Sequence, residues 1–223
     1  DISICFPKGK ITAIVGASGS GKTTILKLIL GYYPVLDGDI KIGNKNINDL
    51  NLKKWREKCG VVMQEGVIFS ESIERNIANT DAPIDREKLK YAAKMACVDE
   101  FIDRLPQKYN TKIGADGIGL SQGQKQRILI ARAIYRNPDY IILDEATNSL
   151  DASNEHMIVD NLNSFYNGRT VIVVAHRLST VKDADQIIVL DKGSIIEVGN
   201  HKELTNKKGA YYNLVKNQLE LGM

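Results

Sequence analysis

The stretch Gly16-Ala17-Ser18-Gly19-Ser20-Gly21-Lys22-Thr23-Thr24 constrains this chain more than any other. It satisfies the pattern G-x-x-x-x-G-K-[ST], with Gly16 and Gly21 framing the loop that precedes Lys22 and Thr23. The flanks agree with it. Ile11-Thr12-Ala13-Ile14-Val15 is a β-branched, apolar run of the kind that forms a buried parallel strand. Lys22 to Leu30 holds good helix formers and stops at Gly31, a C-capping residue. Strand, glycine-rich turn and helix in this order predict an α/β fold with a parallel core sheet. Glycines let the loop turn its backbone N–H groups inward, which makes an anion nest at a helix N-terminus. Lys22 then reaches β- and γ-phosphates, and the Thr23 hydroxyl joins a Mg²⁺ shell. A glycine-rich turn beside an unrelated lysine explains neither flank.

The 223 residues suffice for one large domain or two small ones with a sizeable core. Net charge is +3, from 30 Lys plus Arg against 27 Asp plus Glu, too small to argue for a nucleic-acid surface. The basic run Lys53 to Lys58 reads as a solvated helix face. Cys5, Cys59 and Cys97 lack zinc-like spacing and fit a reducing compartment. No apolar run is long enough to span a bilayer. Ile2-Ser3-Ile4-Cys5-Phe6 alternates as though already inside a strand, which suggests a piece of a longer chain.

Further strands are predicted at Asp39 to Ile42, Val61 to Met63, Tyr140 to Leu143 and Thr170 to Ala175. Gln186 to Leu190 and Ser194 to Val198 form a hairpin turned by Asp191-Lys192-Gly193. Asn44 to Asn51 reads as polar loop. From Gly66 to Arg136 the composition shifts towards helix, with segments at Arg86 to Cys97, Glu100 to Leu105 and Ser121 to Arg136. Lys202 to Gln218 is a terminal helix broken near Gly209. One domain over 1–223 is expected, with a core lobe at about 1–65 and 137–223 and a helical subdomain at about 66–136.

Asp144 and Glu145 close an apolar strand, where successive side chains alternate between faces. One acid can serve a Mg²⁺ beside Thr23, which suits Asp144, while Glu145 faces an attacking water as base or orienting group. Alone, the pair would read as a solvated strand end. Leu120-Ser121-Gln122-Gly123-Gln124 is locally a capping box, Ser121 at the N-cap and Gln124 three residues on. It is also a serine, a glycine and a helix N-terminus, which suits a second phosphate site. One nucleotide rarely needs two such sites in one chain.

These stretches occur in order with Gln64, Lys125-Gln126-Arg127, Ile141 to Thr147, Ser149-Leu150-Asp151 and His176. Together they resemble the nucleotide-binding domain of ATP-binding cassette (ABC) transporters over essentially the whole chain. The resemblance implies a P-loop NTPase fold with an antiparallel β portion and an inserted helical subdomain. It implies ATP and Mg²⁺ as ligands, hydrolysis to ADP and phosphate, and a head-to-tail dimer of such domains, a homodimer by expectation. Ser121, Gly123 and Gln124 of one subunit would then face the γ-phosphate held on Gly16 to Thr24 of the other, and Asp151 would cross to that loop. Gln64 resembles a hinge glutamine touching Mg²⁺, and His176 a switch histidine on the γ-phosphate. As a lone residue ending an apolar strand, His176 reads equally as structural.

Two departures from the family pattern stand out: Gln122 where glycine is usual, and Ala115 beside Asp116 where exporters often carry a glutamate. Ala146 after Glu145 resembles exporters. The stretch Gln64 to Ile73, followed by Asn76-Ile77, is similar to the exporter surface that receives the transmembrane domain. Its apolar residues Val67, Ile68 and Phe69 read equally as core. The resemblance implies a place on the cytoplasmic face of the inner membrane, a transmembrane domain N-terminal to this piece, and no nucleic-acid partner. It leans towards bacterial exporters of peptides such as bacteriocins. A soluble ABC-type ATPase acting on DNA or ribosomes would carry coiled-coil, zinc or basic insertions, and a non-hydrolysing clamp would have lost Glu145 or His176. A small-molecule kinase leaves Gln64 and Ser121 to Gln124 unexplained. Such domains usually stack adenine on an upstream aromatic; here Phe6, Tyr32 and Tyr33 read as packing residues rather than base platforms.

Overall fold

The computed structural model describes residues 2–146, 152–175 and 181–221, with the side chains of 152–156 and 218–221 outside the description. The chain divides into two compact units. The first comprises Asp1–Cys59, Tyr140–Glu145 and Gly168–Met223, and the second Gly60–Asp139 and Ala146–Asn167.

The first unit is built on β1 (Ile11–Gly16), whose residues Thr12 to Val15 are all buried. β1 pairs in parallel with β6 (Thr170–Val174) on one side and with β7 (Gln186–Asp191) on the other. β6 pairs in parallel with β5 (Tyr140–Asp144), and β7 runs antiparallel to β8 (Ser194–Gly199). The strand order is therefore β5-β6-β1-β7-β8. Strands covered on both faces need continuous apolar runs, which Tyr140 to Leu143 and Thr170 to Val174 supply. Lys192 and Gly193 both have positive φ, 44° and 77°, the backbone that a two-residue hairpin turn demands.

Helix α1 (Lys22–Ile29) follows β1 and buries Ile25, Leu26 and Ile29. It ends where expected. Gly31 has φ 65°, its N–H reaches Leu28 O at 3.0 Å, and the Tyr32 N–H reaches Lys27 O at 2.9 Å. These are the paired bonds of a glycine-terminated helix end. Helix α2 (Leu52–Glu57), capped by Asn51, packs there: the Trp55 indole donates to Ile29 O at 2.8 Å and Arg56 to Leu30 O at 3.3 Å.

Two sequence expectations change. Ile2 to Phe6 forms no strand among the described residues, although Ile4 and Phe6 are half-buried and Ser3 and Cys5 exposed. Alternation specifies two faces but not a ladder partner, and a strand needs both. The strand expected over Asp39 to Ile42 is only β2 (Lys41–Ile42), paired with β3 (Lys45–Asn46) inside the segment read as loop. Helices α8 (His201–Lys207) and α9 (Ala210–Leu221) form the terminal segment, broken at Gly209, where a Cβ would collide with the Glu197 carboxylate.

β4 (Cys59–Val62) carries the chain into the second unit. That unit holds α3 (Ile73–Ala78), α4 (Arg86–Met95), α5 (Asp99–Asp103), α6 (Gln122–Tyr135) and α7 (Ala152–Tyr166). Ser72 and Asp85 cap α3 and α4 with their side chains. The Asn161 amide on α7 donates to Met95 O at 3.1 Å, fixing α7 to the end of α4. α6 is almost wholly apolar on its buried side, through Ile128, Leu129, Ile130, Ala131, Ala133 and Ile134.

Candidate nucleotide site

The loop Gly16 to Gly21 leaves the C-terminal end of β1, where parallel α/β sheets commonly build ligand sites. Gly16 has φ 152°, and a Cβ there would run into the Leu190 carbonyl oxygen of β7. Only glycine permits that approach. Gly21, the N-cap of α1, has φ 101° and supplies no capping side chain, and the first turn of α1 holds no acid. The helix N-terminus thus keeps its N–H groups and positive dipole end for an anion. The loop is braced from outside by the β7–β8 turn, whose Gly193 N–H donates to Ser20 O at 3.1 Å. In the sequence this brace shows only as the Lys192-Gly193 turn.

Lys22 is 6% exposed, and its ammonium donates to Gly16 O at 2.9 Å and Ala17 O at 2.8 Å. Burial lowers its pKa from the usual lysine value, while the nearby charges of Glu145 and Asp144 act in the opposite sense. Ser20 is buried inside the loop, its Oγ 2.8 Å from where a Gly16 Cβ would sit. The Thr23 hydroxyl donates to Asp144 Oδ2 at 2.8 Å, and Asp144 is fully buried at the end of β5. A hydroxyl and a carboxylate side by side, next to an anion nest, are the hard oxygen donors that Mg²⁺ takes with phosphate oxygens and water. The residues fit that ion.

Glu145 departs from the strand alternation expected of it. The strand ends at Asp144, and Glu145 sits in the left-handed region at φ 53°, its N–H donating to Val174 O at 3.0 Å. A residue with a Cβ held at such a φ stores strain, which clusters at functional sites. The ends of β1, β6 and β5 therefore bring together Gly16 to Thr24, Asp144 and Glu145 within the first unit.

Gln64 and Ser121 to Gln124 belong to the second unit. Gln64 is exposed in the turn after β4. Ser121 caps α6 as the sequence implies: its Oγ accepts the Gln124 N–H at 3.2 Å, and Gln124 Oε1 accepts the Ser121 N–H at 2.9 Å. Gly123 is buried in the first turn. Val67 and Phe69 are 61% and 44% exposed, so the core reading of these two fails. Tyr32 and Tyr33 are about half exposed, with the Arg56 guanidinium 5.5 Å from the Tyr32 ring and the Lys27 ammonium 5.5 Å from the Tyr33 ring. They are cation-stacked surface rings, not interior packing. His176 and the Ser149-Leu150-Asp151 stretch lie outside the described residues.

Residues 1–148 match the ABC transporter family model. The chain is 46% identical over 221 residues to the toxin RTX-III translocation ATP-binding protein of Actinobacillus pleuropneumoniae, covering 99% of this chain and 31% of that protein. It is 47% identical over 219 residues to the ATP-dependent lipid A-core flippase of Haemophilus influenzae, covering 98% of this chain and 37% of that protein. A solved bacterial Atm1-family ABC exporter with ATP bound superposes with a TM-score of 0.91 at 39% identity, over 95% of this chain and 37% of that one. The chain thus spans about a third of these longer proteins. On this match the chain belongs to the ABC transporter family, as its nucleotide-binding domain.

Proposed function

We propose that this domain powers export across a membrane, hydrolysing ATP at two composite sites in a head-to-tail dimer. The observation that carries the reading is the Thr23–Asp144 hydrogen bond at the mouth of the Gly16 to Thr24 loop, with Lys22 and Glu145 beside it. Gly16, Ala17, Ser18, Gly19, Ser20 and Gly21 present backbone donors to the phosphates, Lys22 supplies charge there, and Thr24 extends the first turn of α1. Thr23 and Asp144, with Gln64, would hold Mg²⁺, which supplies neutralising charge at the phosphate oxygens. Glu145 orients or deprotonates the attacking water, and the strained backbone aims it. His176 and Asp151 complete the site in the roles their resemblance implies.

Ser121, Gly123 and Gln124 serve the partner subunit's nucleotide. The capping box leaves the remaining N–H groups of the first turn of α6 for an anion. The surface Gln64 to Ile73 receives a transmembrane domain, supported by the exposure of Val67 and Phe69. In this reading the chain works at the cytoplasmic face of the inner membrane. Among the described residues no helix is long and apolar enough to cross a membrane itself. A core lobe at about 1–65 and 137–223 with a helical subdomain at about 66–136 suits this division of labour. The near-neutral charge supports no nucleic-acid partner. The cargo is a peptide of the bacteriocin kind; relatives carry names of toxin translocation and lipid A flipping.

The test is the dependence of hydrolysis on protein concentration. A composite site predicts that specific activity of the purified chain rises with concentration at low concentration. Specific activity independent of concentration, from a species that stays monomeric by light scattering, would rule the composite site out.

A further inference from the structure

The second unit contains a polar cluster that the nucleotide chemistry does not use. Asn76 of α3 is fully buried. Its Oδ1 accepts the Phe69 N–H at 2.8 Å, and its Nδ2 donates to Phe69 O at 2.9 Å, Ser72 O at 3.2 Å and Glu71 O at 3.3 Å. One amide side chain thus ties down the backbone of Phe69 to Ser72, alongside the Ser72–Lys112 bridge and the Ile113 N–H donated to Glu71 O at 3.0 Å. Arg132, in the last turns of α6, completes the arrangement. Its Nε donates to Asn76 O at 2.7 Å, Nη2 to Asn76 Oδ1 at 3.1 Å and Nη1 to Val67 O at 2.9 Å. Its guanidinium lies 5.0 Å from the centre of the Phe69 ring. Leu129, one turn earlier on α6, stands where a Cβ on Gly66 would be, and Gly114 lies against the Phe69 carbonyl.

The charge of Arg132 meets carbonyl and amide oxygens and a π-face, and burial together with the charge of Arg136 lowers its pKa to about 10. Holding a cation in such surroundings is costly unless several donors are used at once. A planar fork with fixed donor directions meets that requirement, and a lysine ammonium does not. The result is that Val67 and Phe69, the exposed apolar residues of this loop, are bolted to the helix whose first turn carries Ser121 and Gly123.

We propose that Arg132, through Asn76, is a positioning residue that makes α6 and the loop Gly66 to Ser72 move as one piece. Resting on the reading given under Proposed function, this lets a displacement of the Ser121 end of α6 by the partner's nucleotide reach Val67 and Phe69. Arg132 touches no nucleotide in this scheme.

The experiment is amide hydrogen exchange on the full-length protein in nanodiscs, with and without Mg²⁺ and the slowly hydrolysed analogue AMP-PNP, in wild type, Arg132→Lys and Phe69→Leu. In wild type the analogue should change protection both at Ser121 to Gln126 and at Val67 to Ser72. In Arg132→Lys the first response should remain and the second should be lost. The Phe69 amide should also exchange about tenfold faster, the scale expected from losing charge-assisted hydrogen bonds. Phe69→Leu keeps the Asn76 bonds and should retain both responses.

A response at Val67 to Ser72 that persists in Arg132→Lys overturns the proposal. Loss of both responses in Arg132→Lys overturns it too, because Arg132 would then support the fold of α6 itself. Absence of any response at Ser121 to Gln126 in wild type has a different meaning: it refutes the composite site and the proposal falls with it.

Discussion

At the scale of single residues, the site is decided by a few positions where the backbone or the charge has no freedom. Glu145 is held at φ 53° beside the buried Asp144, an arrangement a merely solvated carboxylate would not require. Glu145→Gln should keep ATP binding and lower steady-state hydrolysis by about two orders of magnitude or more, the usual worth of a positioned base. A phosphate-release assay showing near-normal turnover would remove Glu145 from that role. Asp185 makes a different kind of prediction. Its carboxylate accepts the Ile11 N–H at 2.9 Å and pairs with Lys10 at 2.9 Å, tying the start of β1 to the start of β7. The Ile11 hydrogen bond is the largest cause lowering its pKa below 3.8; burial opposes it, and the hydrogen bond and charge of Lys10 add to the lowering. Folding therefore favours the charged form. The stability it adds is present above pH 3.8 and is lost as the pH falls through the lower folded value. Asp185→Asn should melt below wild type at neutral pH, and the gap should close in strong acid. A gap that is constant with pH, measured by calorimetry, would mean that shape rather than charge holds this corner.

At the scale of elements, what was legible in the sequence was whatever carries its own local reason. The strands β1, β5 and β6 announce themselves as unbroken apolar runs, α1 by the glycine that stops it, and α6 by the Ser121 to Gln124 box. What was not legible depended on a partner. Ile2 to Phe6 alternates correctly yet pairs with nothing among the described residues, and β3 is a strand only because β2 lies opposite. The Asn76–Arg132 cluster was equally hidden, since its contacts join residues 56 apart in sequence. Gly31 is the element-scale test, because it was predicted locally and found to be doubly constrained. Its φ is 65°, and a Cβ would come within 2.8 Å of the Leu52 side chain on α2. A left-handed residue with a Cβ costs roughly 1–2 kcal/mol. Gly31→Ala should therefore lower the melting midpoint by about 2–8 °C, and the Trp55 emission should report the loosened α1–α2 contact before global unfolding. A midpoint equal to that of wild type would show that this corner relaxes freely.

At the scale of the whole molecule, the residues that resemble phosphate ligands fall into separate compact units. Gly16 to Thr24, Asp144 and Glu145 lie in the first, and Gln64 and Ser121 to Gln124 in the second. Each group is locally complete. Lys22 is held by the Gly16 and Ala17 carbonyls and Thr23 by Asp144, while Ser121 and Gln124 close their own capping box. Ser121→Arg separates the possibilities. It removes the cap, at a cost of about 1 kcal/mol, and places a long cation on the rim of α6 while leaving every P-loop contact untouched. ATP affinity of the monomeric chain should stay within about twofold of wild type, because no binding contact of the first unit is altered. ATP-driven dimerisation and hydrolysis should both fail. Titration calorimetry on the monomer gives the first quantity, and light scattering with a phosphate-release assay gives the others. If monomer affinity fell in step with hydrolysis, Ser121 would serve the nucleotide of its own chain, and the head-to-tail dimer would have to be abandoned.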